Sequence, residues 1–288
     1  MNAQPACIPC CLARILRMAE LVTDNVWLHN RVLAEMMDIL RKRQYDTTPA
    51  DLMTELCARA EKTLGVADPY AQRRSGISEE MQAAEEQFRA QIEAAPKSQQ
   101  LALAVRLACT ANVFDDDLLR DVEISGLFAR AKEVPLQGDV WEDFRRDLKA
   151  AARILFVHCA AGEIVLDKLL MERLEEKKIT AVVRARPILG WAVAEDAARA
   201  GIGAAADALI DPGANCIGLP LSQCSQDLRT AFDQADLVIA KGQAAYETLG
   251  AERKTIYVLM RVKCRVVAEA LGYQVGDLVL ERCGGDQA

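Results

Sequence analysis

The chain has 288 residues, of which 51% are hydrophobic and 27% are charged, and its formal net charge is −7. This length and apolar content are enough to bury a sizeable core, in one large domain or two smaller ones, and they argue against a disordered chain. The negative charge, the 5% aromatic content and the absence of a basic stripe argue against a nucleic-acid-binding surface. We therefore expect a small molecule or a protein as the partner.

The expected compartment is the cytoplasm. No segment reaches the roughly 18 apolar residues of a membrane span, and the first ten residues do not have the pattern of a secretion signal. Most of the ten cysteines are scattered through apolar stretches. In a reducing compartment such thiols behave as small hydrophobic side chains, so we expect no disulfide framework. Because no segment is long and apolar enough to span a membrane, we also expect no membrane partner. The sequence makes no prediction of the oligomeric state.

Residues 1–150 are predicted to form an α-helical region, because apolar residues recur there at intervals of three and four. Asp46-Thr-Thr-Pro49 has the pattern of a cap followed by a helix start. Gly65 to Pro69 is predicted to connect two helices, and a further helix is predicted to start after Gly76 with Ser78 as its cap.

Residues 151–288 are predicted to form a parallel α/β domain, because short apolar runs alternate there with helical stretches. The predicted strands are Ile154 to Val157, Thr180 to Val183, Leu209 to Ile210, Leu237 to Ala240 and Ile256 to Leu259. These runs are continuously apolar, which is typical of strands buried on both faces of a mostly parallel sheet.

Three segments that follow predicted strands indicate a ligand site, since ligands of an open parallel sheet collect at the carboxyl ends of its strands. Gly162 permits a tight turn before a helix predicted from Ile164 to Glu175, and the amides near it could bind an anion. Arg184 and Lys241 each follow a strand, and Gly242 allows close approach of a ligand. This set suits a phosphate; pairing of the two cations with surface carboxylates is the alternative.

Motifs spread over almost the whole chain carry a family resemblance. They are Cys7-x-x-Cys10, Asp68-Pro-Tyr70, Asn112-Val-Phe-Asp115, Ala161 to Leu170, Val182-Val-Arg-x-x-Pro-Ile188, Glu195-Asp-Ala197, Pro212-Gly213, Ala235 to Gln243 and Gly276 to Leu280. In this shared order they resemble the damage-control phosphatases, a family of metal-dependent phosphatases once known only as a domain of unknown function.

The resemblance implies a helical N-terminal region packed on a Rossmann-like, mostly parallel α/β/α domain. It also implies hydrolysis of small phosphate monoesters, such as sugar phosphates or damaged metabolites, with a divalent metal that is Mg, Mn, Co or Ni. On this interpretation Glu163 and Lys241 are catalytic. Lys241 also binds the phosphate, together with Gly162, Arg184 and Gly242.

Three pairs of residues depart from the family at positions that carry polar groups. Cys159-Ala160 stand where the family has Asp-Asn, Gly190-Trp191 where it has Asn-Asp, and Ala244-Ala245 where it has Gly-Asn. A hard divalent cation needs oxygen ligands, which these side chains do not offer. The departures therefore put the metal site in doubt while the phosphate-binding residues remain.

Two hypotheses of function follow. The chain is either a divergent metal-dependent phosphatase in which Asn112, Asp115 or Cys159 helps to hold the metal, or a non-catalytic relative that binds an anionic small molecule or a protein. Trp191 is either a plug in the altered site or a stacking platform for a ring-bearing ligand. The acidic residues Asp116-Asp117 are interpreted as a solvated turn.

The cysteines allow two further alternatives. Cys159 opens a segment like the start of the cysteine-phosphatase loop, but that loop needs an arginine six residues later, where this chain has Val165. We therefore favour an inert buried thiol over a nucleophile. Cys7, Cys10 and Cys11 have spacings that could bind zinc or exchange disulfides, and we favour thiols packed in the first helix.

Overall fold

A computed structural model of the chain describes residues 1–42, 46–115, 126, 128, 131, 134–174 and 176–285. The first part is helical, as predicted. Its elements are α1 (Cys7–Val22), α2 (Val26–Lys42), α3 (Pro49–Leu64), α4 (Ala71–Ala83), α5 (Glu85–Glu93), α6 (Lys97–Ala111), a 3-10 turn (Asn112–Asp115), the short strand β1 (Leu136–Gln137) and α7 (Trp141–Ala150).

The second part alternates strands and helices. Its elements are β2 (Arg153–Val157), α8 (Ile164–Met171), β3 (Lys178–Val182), α9 (Ala194–Ala200), β4 (Ala208–Ile210), α10 (Gln226–Gln234), β5 (Leu237–Lys241), α11 (Gln243–Leu249), β6 (Ile256–Arg261), α12 (Arg265–Leu271) and β7 (Leu278–Cys283), with 3-10 turns at Ile202–Ala204 and Leu221–Gln223. All five predicted strands are present.

The strands form one sheet in the order β1-β7-β6-β5-β2-β3-β4. The five strands from β6 to β4 are parallel, whereas β7 runs antiparallel to β6 and pairs in parallel with β1. The predicted mostly parallel sheet is therefore confirmed. Strand β2 lies between β3 and β5, so the chain crosses to the other half of the sheet there, which opens a crevice at the carboxyl ends of β2 and β5.

Helices cover both faces of the sheet. Within β2, Ile154 and Phe156 face a core shared with α5 to α8, and Leu155 and Val157 face a core shared with α10 to α12. The central strands are thus buried on both faces, while the edge strand β4 is largely exposed. In the described part of the chain, no helix combines the length and the apolar character needed to cross a membrane.

Helices α1 to α3 form a third core, which we call the cap cluster: its buried members are Cys11, Ile15, Met18, Ala19, Val32, Met36, Leu40, Ala50, Leu52, Met53, Leu56, Cys57, Ala60, Leu64, Tyr70, Cys159, Ile188, Leu189, Trp191 and Ile217. The cap cluster therefore joins the first helices to the loops at the carboxyl ends of the strands. The predicted division of the chain into a helical region, 1–150, and an α/β domain, 151–288, stays a prediction.

Local chemistry explains the bounds of α3. The Thr48 hydroxyl accepts a hydrogen bond from the Asp51 amide at 3.0 Å, and Pro49 occupies the first turn, where it has no amide hydrogen to leave unpaired. Gly65 ends the helix with a φ of 70°. The predicted start and the predicted connection after Gly65 are therefore confirmed.

Two predicted helix boundaries are wrong. Helix α4 continues through Gly76 and Ser78, so Ser78 is not a cap; it is a buried residue in the middle of the helix. Arg74 holds the helix by ion pairs to Asp68 at 2.8 Å and Asp196 at 3.1 Å, and these tertiary contacts outweigh the helix penalty of a glycine. Helix α8 ends at Met171 rather than at Glu175, which lies outside the described residues.

Candidate active site

The loop that leaves β2 pairs with the loop that follows β3. The carbonyl of Cys159 accepts a hydrogen bond from the Ala192 amide at 2.8 Å, and Ala160 faces Trp191 in a short antiparallel bridge. Cys159-Ala160 and Gly190-Trp191 are two of the three pairs that the sequence predicts to depart from the family, and we call all three pairs the altered positions. These two pairs are neighbours at the carboxyl ends of the strands.

A buried polar network lies next to this pairing. The Lys241 ammonium donates to Glu163 at 2.6 Å, to Asp167 at 2.8 Å and to the carbonyl of Ala108 at 3.0 Å. Glu163 also accepts from the Asn112 amide group at 2.9 Å. The side chains of Lys241, Glu163 and Asp167 are 0% exposed. All three hydrogens of the ammonium thus have protein acceptors.

The pKa values of the two carboxyl groups of this network shift in opposite directions. Burial raises the pKa of Glu163, and Lys241 only partly opposes the shift. Burial acts in the same direction on Asp167, but Lys241 and the His158 ring, whose Nδ1 lies 2.9 Å from Asp167 Oδ2, outweigh it and lower its pKa. Lys241 with Asp167 is therefore the persistent ion pair, and Glu163 is the first of the two carboxylates to take up a proton.

The structure brings the predicted catalytic residues Glu163 and Lys241 together, but as partners of each other. Burial acts to lower the pKa of Lys241, and Asp167 and Glu163 outweigh burial and raise it. The lysine is therefore a permanent buried cation whose donors face the protein interior. The alternative prediction, that Lys241 pairs with surface carboxylates, is wrong because its partners are buried. Contact between Lys241 and a phosphate stays a prediction.

Two of the amides near the start of α8 are engaged by the protein. The Glu163 amide donates to the carbonyl of Ala160 at 3.0 Å, and the Ala160 amide donates to the Glu163 carboxylate at 3.3 Å. Gly162 lies in the turn between them. A Cβ at Gly162 would stand 2.2 Å from Ile77 Cγ2, so packing against α4 is what requires a glycine there.

A second polar centre lies around Asp115, at the end of the 3-10 turn after α6. Its Oδ1 accepts from Trp191 Nε1 at 2.6 Å, and its Oδ2 forms a close ion pair with the Lys263 ammonium. Arg14 of α1 donates to the Asp115 carbonyl at 3.3 Å. Burial opposes ionisation of Asp115, but Lys263 and Arg14 outweigh it and lower its pKa. The group is therefore held as a carboxylate.

Arg184 packs against the Trp191 ring, with its guanidinium carbon 4.6 Å from the ring centroid. Its Nη1 donates to the carbonyls of Cys216 at 3.3 Å and Gly218 at 2.8 Å, and burial lowers its pKa. Trp191 is itself only 2% exposed. This geometry agrees with Trp191 as a plug supported by Arg184, and a phosphate-binding role of Arg184 stays a prediction.

Cys159 and Gly242 lie close together between the two polar centres. Gly242 has a φ of 83°, and a Cβ on it would stand 3.1 Å from both Cys159 Sγ and Asn112 Nδ2. Burial raises the pKa of the Cys159 thiol well above its usual range, and Asp115 and Glu163 raise it further. These surroundings agree with an inert thiol rather than with a nucleophile.

A pocket of about 460 Å³ opens beside Asp115. Lys263 and Arg14 supply cations to its wall, and the altered residues Trp191 and Ala244 line it as well. Its apolar wall includes Pro49, Met53, Ile217 and Val266. The pocket thus combines a cationic end with a mainly apolar body.

The cysteines of α1 line the same pocket. Cys7, Cys10 and Cys11 lie on its wall together with Cys264, all as thiols. Glu247 of α11 also lines the pocket, and burial raises its pKa to about 7. A carboxyl group in the pocket therefore changes its charge near neutral pH.

The three residues predicted to hold a metal are neighbours, but their chemistry does not fit a divalent cation. Asn112 already uses Oδ1 to accept the Arg261 amide at 3.1 Å. Asp115 has both oxygens engaged, one of them by the Lys263 ammonium, and Cys159 is a protonated thiol. Over the ranges that the structure describes, no group of three or more His, Cys, Asp or Glu side chains is arranged to hold a metal. Asp116 and Asp117 lie outside those ranges.

Three residues of the two centres were not predicted. Lys263 lies two residues after the end of β6, as Lys241 lies at the end of β5, so the rule that strand ends carry ligands could have found it. Asp167 lies four residues after Glu163, which puts both carboxyl groups on one face of α8. Arg14 gives no such signal, because its place depends on how α1 packs.

The fold belongs to a known class. The chain is a member of the damage-control phosphatase family, since the profile of the damage-control phosphatase ARMT1-like domain matches residues 3–279. Family membership suggests a divalent metal cofactor, whereas the three residues predicted to hold it do not offer a suitable donor set.

Particular relatives cover nearly the whole chain. A damage-control phosphatase of Archaeoglobus fulgidus is 32% identical over 97% of this chain and 98% of its own. The damage-control phosphatase PH1575 of Pyrococcus horikoshii is 27% identical over 98% of both chains. The crystal structure of PH1575, a DUF89 family protein, matches this fold with a TM-score of 0.86 over 98% of this chain and 99% of that one.

Proposed function

We propose that this chain binds small phosphate monoesters in the pocket beside Lys263 and hydrolyses them. The observation that carries the proposal is the pairing of Lys263 with Asp115 on the wall of a mainly apolar pocket. A phosphate ester matches both parts, because its anionic end suits the ammonium and its organic body suits the apolar walls. Sugar phosphates and damaged phosphorylated metabolites are the proposed substrate class.

The charges around Asp115 support a phosphatase-type reaction. Phosphoryl transfer depends on positive groups that neutralise the oxygens of the transferred group, and Lys263 and Arg14 supply two of them. Asp115 stays ionised beside these cations because they lower its pKa. In the proposed reaction this carboxylate orients the attacking water towards the phosphorus.

The dependence on Mg, Mn, Co or Ni that the family implies finds no matching donor set in the described residues. No step of the proposed reaction therefore passes through a metal. A divalent metal remains an explicit variable of the assay, since family membership suggests one.

One observation favours a second function, which is binding without hydrolysis. Both oxygens of Asp115 accept hydrogens from protein donors, Trp191 on one side and Lys263 on the other. A carboxylate that is fully engaged in this way is a weaker base towards water. A non-catalytic relative that binds an anionic small molecule is the function this favours.

The test is phosphate release from a panel of sugar phosphates and other phosphate monoesters, with EDTA and with each of the four metals. Lys263→Met is compared with Arg265→Met, because Arg265 lines the same pocket but its side chain is 86% exposed. Turnover that is lost in Lys263→Met and kept in Arg265→Met supports the hydrolase. Calorimetric binding of the esters without release under any condition supports the second function, and neither binding nor release contradicts both.

A further inference from the structure

The Lys263 ammonium and Trp191 both contact the Asp115 carboxylate. The ammonium contacts Asp115 Oδ2, and the Lys263 and Asp115 side chains are only 6% and 8% exposed. The other oxygen of this carboxylate accepts from Trp191 Nε1 at 2.6 Å. The point where a Cβ on Gly242 would stand lies 3.7 Å from Asp115 Oδ2 and 3.1 Å from Cys159 Sγ. A protein cation therefore already lies among these groups.

Apart from Asp115, the polar groups near this ammonium are hydrogen donors rather than metal ligands. Trp191 presents an indole N–H, and Asn112 presents an amide N–H, which lies 3.1 Å from the same point beside Gly242. A divalent cation needs several oxygen ligands and is repelled by an ammonium group at this range. The Lys263 ammonium therefore disfavours a second cation at this centre.

A backbone hydrogen bond ties Lys263 to α11, and the ion pair with Asp115 positions its ammonium. The Lys263 amide donates to Oε1 of Gln243, at the start of α11, and Gln243 Nε2 in turn lies 3.6 Å from Cys264 Sγ. An ammonium has three hydrogens, of which Asp115 accepts one, and Lys263 lines the pocket. Its remaining donors can therefore serve a ligand.

We propose that Lys263 takes the place of a divalent cation in this chain: its ammonium binds the phosphate group directly, and the centre does not bind a divalent metal. Trp191 completes the replacement by donating to the carboxylate oxygen opposite Lys263. Arg14 adds a second positive charge on the pocket wall. The inference rests on the proposed phosphate-ester function, which it deepens by naming the group that holds the phosphate.

The first test is binding of Mn²⁺ alone, measured by electron paramagnetic resonance and calorimetry. We expect the natural protein to bind Mn²⁺ no more tightly than about 1 mM, and Lys263→Ala combined with Trp191→Asp to bind it at least about tenfold more tightly. Lys149→Met, at an exposed site outside the pocket lining, should leave Mn²⁺ binding unchanged. Stoichiometric Mn²⁺ binding by the natural protein below about 100 µM would overturn the proposal.

The second test is binding of inorganic phosphate in EDTA, which stays informative if the double variant does not fold. Affinity should be equal with EDTA and with Mn²⁺, and should fall about tenfold to hundredfold in Lys263→Met, the range for loss of a charged hydrogen bond. Lys263→Arg should restore most of the affinity. Phosphate binding that requires Mn²⁺, that survives in Lys263→Met, or that is absent from the folded natural protein overturns the proposal.

These outcomes are distinguishable from those of the hydrolase assay. Metal-independent phosphate binding through Lys263, without turnover of any ester, supports this inference and contradicts hydrolysis. Metal-dependent turnover together with metal-dependent phosphate binding supports hydrolysis and contradicts this inference.

Discussion

Replacement of Lys241 by methionine should destabilise the fold strongly. The lysine joins Glu163 and Asp167 at 2.6 and 2.8 Å with all three side chains at 0% exposure. Removing one partner of a buried ion pair leaves an unpaired charge and typically costs about 3–5 kcal/mol. We expect a loss of that size in the free energy of unfolding, measured by urea denaturation at pH 7. Lys149→Met, at an exposed site in the last turn of α7, is the control and should cost less than about 1 kcal/mol.

The pH dependence of this loss tests its cause. In the natural protein the lowered pKa of Asp167 gives stability that is present above the carboxyl's unfolded pKa and is lost as the pH falls through the folded pKa. Removal of Lys241 takes away the largest influence that lowers the pKa of Asp167, so the folded variant binds a proton more tightly than the folded natural protein does. The destabilisation should therefore be smaller at acidic pH than at pH 8. A loss no larger than that of Lys149→Met, or one independent of pH, would refute the buried ion pair.

Three other predictions concern single positions. Gly242→Ala should lower the free energy of unfolding by about 1–3 kcal/mol, because of its positive φ and close neighbours, whereas Gly76→Ala, in open space within α4, should raise it by about 0.5–1 kcal/mol. Cys159 should resist iodoacetamide in the native protein at neutral pH while Cys264 reacts, as followed by mass spectrometry. Sulfate, a dianion throughout, should bind more weakly as the pH rises through about 7, because Glu247 then becomes charged, and Glu247→Gln should remove this dependence.

Each of these predictions has a contradicting result. Equal effects at the two glycines would mean that the contacts at Gly242 are not constraining. Alkylation of Cys159 as fast as that of Cys264 would show that its thiol is accessible. An unchanged pH profile in Glu247→Gln would assign the titration to another group.

The parts of the fold that the sequence predicts well depend on local chemistry. Thr48, Pro49 and Gly65 mark the ends of α3 because a cap, a proline and a glycine act within one turn of the chain. Ser78 misled the same reasoning, since Arg74 stabilises α4 through Asp196, which is remote in the sequence. Such a partner is not visible in a local pattern.

The sequence predicted where the candidate site lies in the fold, but it did not predict which charged side chains pair with each other there. The rule that ligand sites form at the carboxyl ends of parallel strands correctly predicted that Cys159 and Lys241 lie at one edge of the sheet. Which group Lys241 would face depended on Asp167, a residue 74 positions away along the chain. Lys263 and Asp115 are separated by 148 positions, and only the folded sheet brings them together.

The cap cluster gives the altered residues a second constraint. Cys159 and Trp191 are buried members of the apolar core that joins α1 to α3 to the sheet. An aspartate at either position would place a charge in that core, at a cost that the rest of the cluster would have to offset. A single aspartate at Cys159 or Trp191 would therefore weaken the attachment of the first helices to the sheet.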